Sequence, residues 1–313
     1  MHTNPDPASR TVRSRFKRIV EKVLVGSRVD RLLMRRPPRA IILLYHNVVP
    51  DDYEVGGESP LHVRLSDFLE QIDWARKHFD PVDLDGIREA TRTRRPSFAV
   101  TFDDAYEGCV SLGIPELVER GVPSALFVAP GLLSAGHPWW DRFGADLDRT
   151  LGDKSFRQRA LSEGRGEEEA VTKLATESGL APGAPGPLEA IASTEEIVRL
   201  GNEPLVSIAA HSWSHCNLAQ RDDPRLGAEL NDPQAWFRDH GIPAKPWLAY
   251  PYGLVSPEVI AGAKTAGYDT GVLASGGGIA DIAALDPLLL PRISIPRGLS
   301  LDGFRLRMRG VLR

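Results

Sequence analysis

The chain has few cysteines, no long apolar run and no strong excess of charge of either sign. Two cysteines among 313 residues, Cys109 and Cys216, exclude a disulfide framework, and we expect both to be buried thiols without a redox or ligand role. No stretch reaches about 18 uninterrupted apolar residues, so a membrane-spanning helix is not expected. The net charge of −4 gives no overall signature of nucleic-acid binding, and no nucleic-acid partner is predicted.

The near balance of charge hides a basic N-terminal segment. Residues 1–40 carry 11 Lys and Arg against 3 Asp and Glu, with apolar residues at roughly helical spacing. A basic amphipathic helix of this kind is typical of peripheral contact with an anionic membrane surface, here through residues 1–39. The alternatives are a solvated helix docked on the main domain and a partly disordered arm. Because no export signal is recognisable, we expect a cytoplasmic protein, with contact at the inner face of the membrane as a variant.

Strand-like apolar runs and helical patterns alternate along the chain from residue 40. Helices are predicted at 66–78, with Ser66 as N-cap, around residue 87 and at 114–120. The predicted strands lie at 41–44, 82–84, 98–102, 125–128, 206–210, 247–250, 270–273 and 289–295. Such alternation is typical of βα units with a parallel sheet, and a chain of this length can form a single α/β barrel.

The alternation stops between residues 129 and 193. This stretch is rich in Arg, Glu, Gly and Ala, and a Pro- and Gly-rich connector at 181–187 predicts irregular structure. We interpret residues 130–193 as a helical insertion over one face of the barrel, closed by a capping box at Ser193 and Glu196. The predicted organisation is therefore an N-terminal segment (1–39), a main domain with the insertion (40–298) and a C-terminal tail (299–313).

Polar side chains follow two of the predicted strands directly. Asp103 and Asp104 come after strand 98–102, and burying two carboxylates is costly unless a metal ion or a shared proton compensates. His211 and His215 come after strand 206–210, and a carboxylate with His-x-x-x-His suits a catalytic zinc that keeps one open position. Taken singly, the Asp pair also fits a helix N-cap, and the histidines also fit unrelated surface positions.

Three motifs in one order resemble those of the polysaccharide deacetylases, the NodB-homology group or carbohydrate esterase family 4. They are Thr101-Phe102-Asp103-Asp104, His211-Ser212-Trp213-Ser214-His215 and Tyr250-Pro251-Tyr252-Gly253, each at the end of a predicted strand. The resemblance covers about residues 39–296 apart from the insertion. It implies a distorted (β/α) barrel and a metal-dependent carbohydrate de-N-acetylase.

The resemblance also implies roles for residues at matching positions. Asp104, His211 and His215 would hold a divalent metal, with zinc as the first choice. Asp103 would be the general base that takes a proton from the attacking water. The backbone N–H of Tyr252 would help to hold the tetrahedral oxyanion, and donors of this kind are worth about 3–4 kcal/mol.

Two residues of the family pattern are missing. No arginine shortly precedes Pro251, and no histidine follows Gly253. We expect Arg292 to replace the arginine by pairing with Asp103; the alternative is an ion pair with another acid such as Asp286. We expect His46, at the end of the first strand, to be the general acid; the alternative is a core histidine bonded to backbone.

The predicted function is hydrolytic removal of an N-acetyl group, or as second choice an O-acetyl group, from a carbohydrate or lipid-linked sugar. The predicted partner is that N-acetylated carbohydrate, and the sequence leaves the oligomeric state open. One alternative is a catalytically silent glycan-binding protein on the same fold, and another is a hydrolase of non-sugar amides. We expect Trp139 and Trp140 to anchor the insertion to the barrel; the alternative is that they stack on sugar rings.

Overall fold

The computed structural model describes residues 21, 38–89, 95–133, 135–221 and 224–311. The predicted amphipathic segment at 1–39 therefore lies almost entirely outside the described residues. Within the described part of the chain, every helix is too short or too polar to span a bilayer.

The core of the fold is a closed barrel of seven parallel strands. The described residues form β1 (Ala40–Tyr45), β2 (Asn47–Val49), β3 (His62–Arg64), β4 (Asp80–Pro81), β5 (Ser97–Phe102), β6 (Ser124–Val128), β7 (Thr150–Leu151), β8 (Lys154–Ser155), β9 (Val206–Ala210), β10 (Trp247–Ala249), β11 (Thr270–Gly276) and β12 (Leu290–Ser294). The barrel order is β1, β12, β11, β10, β9, β6 and β5, and β5 pairs again with β1. The short β4 adds to the start of β5.

Alternate residues of the barrel strands belong to two separate apolar clusters. We assign the smaller cluster to the barrel interior, because the intervening residues, such as Ile41 and Leu43, pack in the larger cluster beneath the helices. All seven barrel strands contribute to the interior: Ala40, Ile42, Ala99, Ala125, Phe127, Ala209, Trp247, Ala249, Val272 and Leu290. Continued toward the carboxyl ends of the strands, the same alternation places Asp103, His211 and Arg292 on the interior side.

Helices cover the outside of the barrel. The described residues form α1 (Leu65–His78), α2 (Leu84–Glu89), α3 (Ile114–Glu119), α4 (Trp139–Arg142), α5 (Phe156–Ser162), α6 (Glu168–Glu177), α7 (Thr194–Leu200), α8 (Arg225–Asp239), α9 (Pro257–Thr265) and α10 (Leu301–Met308). The C-terminal segment, set apart by the sequence as a tail, contains α10, whose Phe304 packs edge-on against Trp74 of α1.

Two local predictions are wrong, each because a side-chain acceptor was overlooked. Ser66 is not an N-cap: α1 begins one residue earlier, and the Ser66 N–H donates to Asp51 Oδ1 of the preceding loop at 3.0 Å. The strand predicted at 82–84 is instead the short β4 two residues earlier. Asp83 Oδ1 accepts the N–H of Gly86 at 2.8 Å, and this N-cap-like bond starts α2 at Leu84.

The predicted insertion contains helices α4, α5 and α6 and the antiparallel hairpin β7–β8. Its predicted capping box is confirmed: Ser193 Oγ accepts the N–H of Glu196 at 3.3 Å, and the Glu196 carboxylate accepts the N–H of Ser193 at 2.8 Å. This box starts α7, which leads the chain back to β9 of the barrel.

Candidate active site

The three sequence motifs meet at the carboxyl ends of the barrel strands, where the active sites of such barrels lie. Asp103 and Asp104 follow β5, His211 follows β9, and His46 follows β1. One cavity of about 240 Å³ is lined by six of the predicted site residues: His46, Asp103, Asp104, His211, His215 and Tyr252. The seventh, Arg292, is fully buried and contacts this group through Asp103.

The three predicted metal ligands lie together and are buried. One ligand atom from each of Asp104, His211 and His215 lies within 4.8 Å of the others. Asp104 Oδ1 is 3.0 Å from Nε2 of His215 and 3.4 Å from Nε2 of His211. Nδ1 of His211 lies 2.9 Å from the carbonyl oxygen of Ala249, which can only accept, so Nδ1 carries the hydrogen. In the neutral imidazole the lone pair is then on Nε2, on the side of Asp104, which is the form that binds a metal.

The donor set fits a divalent cation. Although both imidazoles are near, Asp104 Oδ1 is buried without a hydrogen-bond partner in the described part of the molecule. A buried polar atom left unsatisfied costs about 1–3 kcal/mol, and more when it is charged. Burial opposes ionisation of Asp104, but His215 and His211 outweigh that effect and hold its pKa well below the usual range. An ionised carboxylate with two imidazoles is a ligand set typical of zinc.

Arg292 forms a bidentate ion pair with Asp103. Its Nη1 donates to Oδ1 at 2.7 Å and its Nη2 to Oδ2 at 2.6 Å. Its Nε donates to the carbonyl of Leu273 at 2.7 Å, and Nη1 also donates to Oγ1 of Thr101 at 3.1 Å. The alternative partner, Asp286, lies 3.6 Å from Nζ of Lys264 instead. The structure thus brings Arg292 to Asp103, and its role in catalysis stays a prediction.

The charge state of Asp103 follows from this pair. Burial raises the pKa of its carboxyl, but the Arg292 guanidinium and His211 more than offset burial, so that the pKa lies below the usual value. Asp103 is therefore ionised at neutral pH and is able to accept a proton.

His46 is half-buried in the wall of the cavity. Burial lowers its pKa below the usual value for histidine, although the charges of Asp104 and Asp103 act in the opposite direction. The resting imidazole is therefore mostly neutral at pH 7. The structure places His46 beside the other site residues, and its assignment as general acid stays a prediction.

Tyr252 stands at the tip of a tight turn after β10, with φ at +59°. The described residues include six non-glycine residues with positive φ, and five of them lie within or directly beside the three motifs: Asp104, Ala105, Ser212, His215 and Tyr252. Left-handed backbone at such residues costs about 1–3 kcal/mol each and is concentrated at functional sites. Because the positive φ angles are concentrated at the three motif turns, we interpret these turns as one functional unit. The oxyanion role of Tyr252 stays a prediction.

The two adjacent tryptophans are anchors of the insertion. Trp139 and Trp140 are only 1% and 3% exposed, and Trp139 Nε1 donates to the carbonyl of Gly166 at 3.2 Å. Both rings pack against Tyr252, at centroid distances of 6.3 and 6.2 Å. This burial favours the anchoring interpretation, although Trp140 also borders the cavity.

Sequence reasoning missed Glu229, which holds the His211–His215 loop from α8. Its Oε2 accepts the N–H groups of Trp213 and Ser214 at 3.0 and 2.9 Å, and its Oε1 accepts the Ser214 hydroxyl at 2.6 Å. Glu229 is buried on the same side of α8 as Leu226 and Leu230. A glutamate on the apolar side of a helix was the available signal, because acids are rarely buried there without partners.

Comparison with known proteins agrees with this geometry. The family model described as polysaccharide deacetylase matches residues 90–271. No curated protein matches the sequence.

The structure is similar to solved deacetylases. BC0361, a polysaccharide deacetylase from Bacillus cereus, has 16% identity and a TM-score of 0.61 over 86% of this chain and 68% of that chain. The Streptococcus pyogenes deacetylase PplD in complex with acetate has 16% identity and a TM-score of 0.57 over 87% and 99%. IcaB from Ammonifex degensii has 16% identity and a TM-score of 0.55 over 87% and 97%.

At this level of identity, the likeness to solved structures shows a shared fold, and it confirms the predicted (β/α) barrel. The family is shown by the match over residues 90–271, which is more than half of the chain. The chain belongs to the polysaccharide deacetylase family, and it is a carbohydrate deacetylase, a hydrolase on a distorted (β/α) barrel.

Proposed function

We propose that the chain removes an N-acetyl group from a carbohydrate in a reaction that depends on a divalent metal held by Asp104, His211 and His215. The observation that carries this proposal is the pairing of two buried features. One is a three-residue ligand set in which a carboxylate oxygen has no hydrogen-bond partner among the described residues. The other is the adjacent Asp103, which Arg292 keeps ionised.

The chemistry divides between the ligand set and the side chains around it. When bound, a divalent cation makes water more acidic and polarises a carbonyl group. Asp103 accepts a proton from the attacking water, and the two hydrogen bonds from Arg292 hold its carboxylate in one orientation. The water oxygen bonds to the acetyl carbon, the bond from that carbon to nitrogen breaks, and acetate and a free amine are the products.

The leaving nitrogen needs a proton, and His46 is the side chain that we assign to this step. Because its imidazole is mostly neutral at rest, it has to gain that proton during the reaction, for example the one that Asp103 takes from water. An amide nitrogen leaves only after protonation, whereas an ester oxygen needs less help. A proton-donating residue in the cavity therefore favours N-acetyl over O-acetyl substrates.

The cavity suggests a small binding unit. Its volume of about 240 Å³ is below the roughly 300–1,000 Å³ of pockets that enclose a drug-sized ligand. Arg157 and Leu161 of α5 close one side, and Arg157 pairs with Glu58 of the loop between β2 and β3. We expect one acetylated sugar unit to enter, such as the end of a glycan or the head of a lipid-linked sugar. The small size also suits a non-sugar amide, which is the second candidate substrate.

Metal content and acetate release test this proposal together. The proteins to compare are the wild type, Asp104→Ala, His215→Ala and, as a matched control, His240→Ala, which removes an exposed histidine at the end of α8. We expect about one zinc-like ion per chain in the wild type and the control, and none in the two ligand variants.

Acetate release is measured with an N-acetylated sugar, its O-acetylated counterpart and a small non-sugar amide. The proposal predicts release from the N-acetylated sugar by the metal-loaded wild type and control, and none by the ligand variants. Equal release by metal-stripped wild type would contradict it. Faster turnover of the small amide or the O-acetylated sugar would leave the proposed metal site unaffected. It would identify that compound, and not the N-acetylated sugar, as the preferred substrate.

A further inference from the structure

The two histidines of the ligand set are held in different ways. His211 donates from Nδ1 to the carbonyl of Ala249, whereas Nδ1 of His215 is buried and has no hydrogen-bond partner among the described residues. Histidines that bind metals almost always donate their second ring N–H to an acceptor, which fixes the orientation of the ring. The ring of His215 needs a different support.

Aromatic rings supply that support. The His215 ring lies 4.5 Å from the Trp140 ring, 4.7 Å from the Tyr252 ring and 4.6 Å from the His211 ring, measured between centroids. Only Trp140 comes from the insertion; the other two belong to the barrel motifs. The insertion therefore packs a flat, buried side chain directly against a predicted metal ligand.

A buried polar chain fixes Trp140 in turn. Trp140 Nε1 donates to the Tyr106 hydroxyl at 2.7 Å, and that hydroxyl donates to Asp141 Oδ2 at 2.5 Å. An indole N–H can only donate, so the Tyr106 oxygen accepts from Trp140 and its own hydrogen points to Asp141. Asp141 Oδ1 accepts the N–H of Glu58 at 2.7 Å and lies 3.1 Å from His62 Nε2.

The far end of this chain is anchored on β2, which follows the barrel strand β1. Asn47 Oδ1 accepts the N–H of Val48 at 2.9 Å, which fixes the orientation of the Asn47 amide. Asn47 Nδ2 lies 2.9 Å from His62 Nδ1 and can only donate, so Nδ1 accepts and the hydrogen of His62 is on Nε2. His62 therefore donates to Asp141. Four residues, Asn47, His62, Asp141 and Tyr106, form a continuous path from β2 to the indole of Trp140.

We propose that Trp140 is a positioning residue for His215, and that the chain of Tyr106, Asp141, His62 and Asn47 holds Trp140 in place. This inference rests on the proposed metal-dependent function. The insertion then contributes to metal binding, because its Trp140 ring orients a ligand. The insertion supplies no ligand itself. The expected consequence is that metal affinity depends on a side chain that does not touch the metal.

The test measures metal affinity and ligand geometry directly. Zn²⁺ binding is measured by competition with a chelator, and the visible spectrum of the Co²⁺-substituted protein reports the geometry of the ligands. We expect Trp140→Leu to weaken Zn²⁺ binding about 10- to 100-fold, the usual effect of removing an outer support, and to shift the Co²⁺ bands. Trp140→Phe keeps a ring against His215 and should restore most of the affinity.

Two further variants separate positioning from general stability. Trp74→Leu makes the same truncation at another buried tryptophan, on α1 and in contact with Phe304, and should leave Zn²⁺ affinity and the Co²⁺ spectrum unchanged. Tyr106→Phe breaks the link between Trp140 and Asp141 and should lower the affinity several-fold. Thermal unfolding of the metal-free proteins shows that each variant is folded.

Several outcomes would overturn the inference. One is a folded Trp140→Leu protein that binds Zn²⁺ as tightly as the wild type; another is an equal loss of affinity in Trp74→Leu. If Trp140→Leu does not fold, Tyr106→Phe decides, and an unchanged affinity and spectrum in that variant would contradict us. A wild-type protein that binds no Zn²⁺ or Co²⁺ would remove the proposed function as well, which distinguishes the two failures.

Discussion

The described residues contain two buried clusters of histidine and carboxylate, which differ in how their polar atoms are satisfied. The motif cluster is Asp104, His211 and His215; the insertion cluster is His62, Asp141 and Glu189. In each, one ligand atom per residue lies within 4.8 Å of the others. By composition, distance and burial, either could hold a metal ion.

Hydrogen bonds separate the two clusters. In the insertion cluster, the Glu189 carboxylate accepts the N–H groups of Gly56, Gly57 and Gly186 at 2.6–3.0 Å. Asp141 accepts from His62, from Tyr106 and from the N–H of Glu58. The motif cluster instead contains two buried atoms without a hydrogen-bond partner in the described structure, Asp104 Oδ1 and His215 Nδ1.

Close spacing of ligand residues is therefore insufficient to identify a metal site. A cluster whose oxygens are saturated by backbone N–H groups already has its charge compensated, and it gains little from a cation. The insertion cluster therefore holds the insertion on β3 and on the loop before it, whereas the motif cluster retains the capacity to bind a cation.

The largest expected effect comes from matched substitutions, Asp104→Asn and Asp141→Asn, which remove one charge from each cluster. Asp104→Asn should abolish stoichiometric Zn²⁺ binding and acetate release. Asp141→Asn should keep the metal stoichiometry but lower the free energy of unfolding by about 1–3 kcal/mol or more, because its buried donors lose a charged acceptor. Metal analysis and denaturant unfolding check both variants. If only Asp141→Asn lost its stoichiometric metal, the assignment of the metal site to the motif cluster would be wrong.

The next effect tests the charge beside the motif cluster. Arg292→Met leaves Asp103 buried without its partner and should destabilise the fold by about 3–5 kcal/mol. Acetate release should fall, because the carboxylate loses its charge and its fixed orientation, while the three metal ligands remain. Denaturant unfolding and metal analysis measure this; Arg76→Met, at an exposed position of α1, is the matched control and should change neither quantity. Unchanged stability in Arg292→Met would show that Arg292 is not the main partner of Asp103.

A smaller effect is expected for Glu229→Gln. The amide places a donor where the carboxylate now accepts N–H and O–H groups from Trp213 and Ser214, so the loop that carries His215 should loosen. We expect a loss of about 1–3 kcal/mol in unfolding free energy and a several-fold weaker Zn²⁺ affinity. Glu119→Gln, at an exposed position of α3, is the matched control and should change neither quantity.

The smallest effect concerns a contact outside both clusters. Ser193→Ala removes the N-cap of α7 and should cost about 1 kcal/mol of stability. Metal affinity should not change. Denaturant unfolding and chelator competition check this, and a loss of affinity from this substitution would mean that any destabilisation weakens the metal site.

The features of the fold and the site that the sequence predicted depend on short-range patterns. Asp103, Asp104 and His211 directly follow strong apolar runs, and parallel strands bring such positions together at one end of a barrel. Arg292 could be expected to pair with Asp103 because an arginine within an apolar strand needs a carboxylate partner. The barrel and its helices follow from the same alternation of patterns.

The parts that sequence did not predict depend on long-range hydrogen bonds. His62 and Asp141 are separated by 79 residues, and Asn47 contacts the carbonyl of Leu188 across 141 residues. No local pattern indicates such pairs. The error at Ser66 has the same origin, because the acceptor of its N–H is Asp51, 15 residues away. The proposed role of Trp140 depends on Tyr106, His62 and Asn47, which all lie far from it in sequence.

Acetate release by metal-stripped protein, before and after Zn²⁺ is added back, is the decisive test of whether the reaction depends on a metal. With an N-acetylated sugar as substrate, we predict no release by the stripped protein and recovery on addition of about one equivalent of Zn²⁺. Asp103→Asn should bind Zn²⁺ and recover at least 100-fold less activity, since a general base contributes about 10²–10⁴-fold. Full activity without metal, or an Asp103→Asn protein as active as the wild type, would contradict the account.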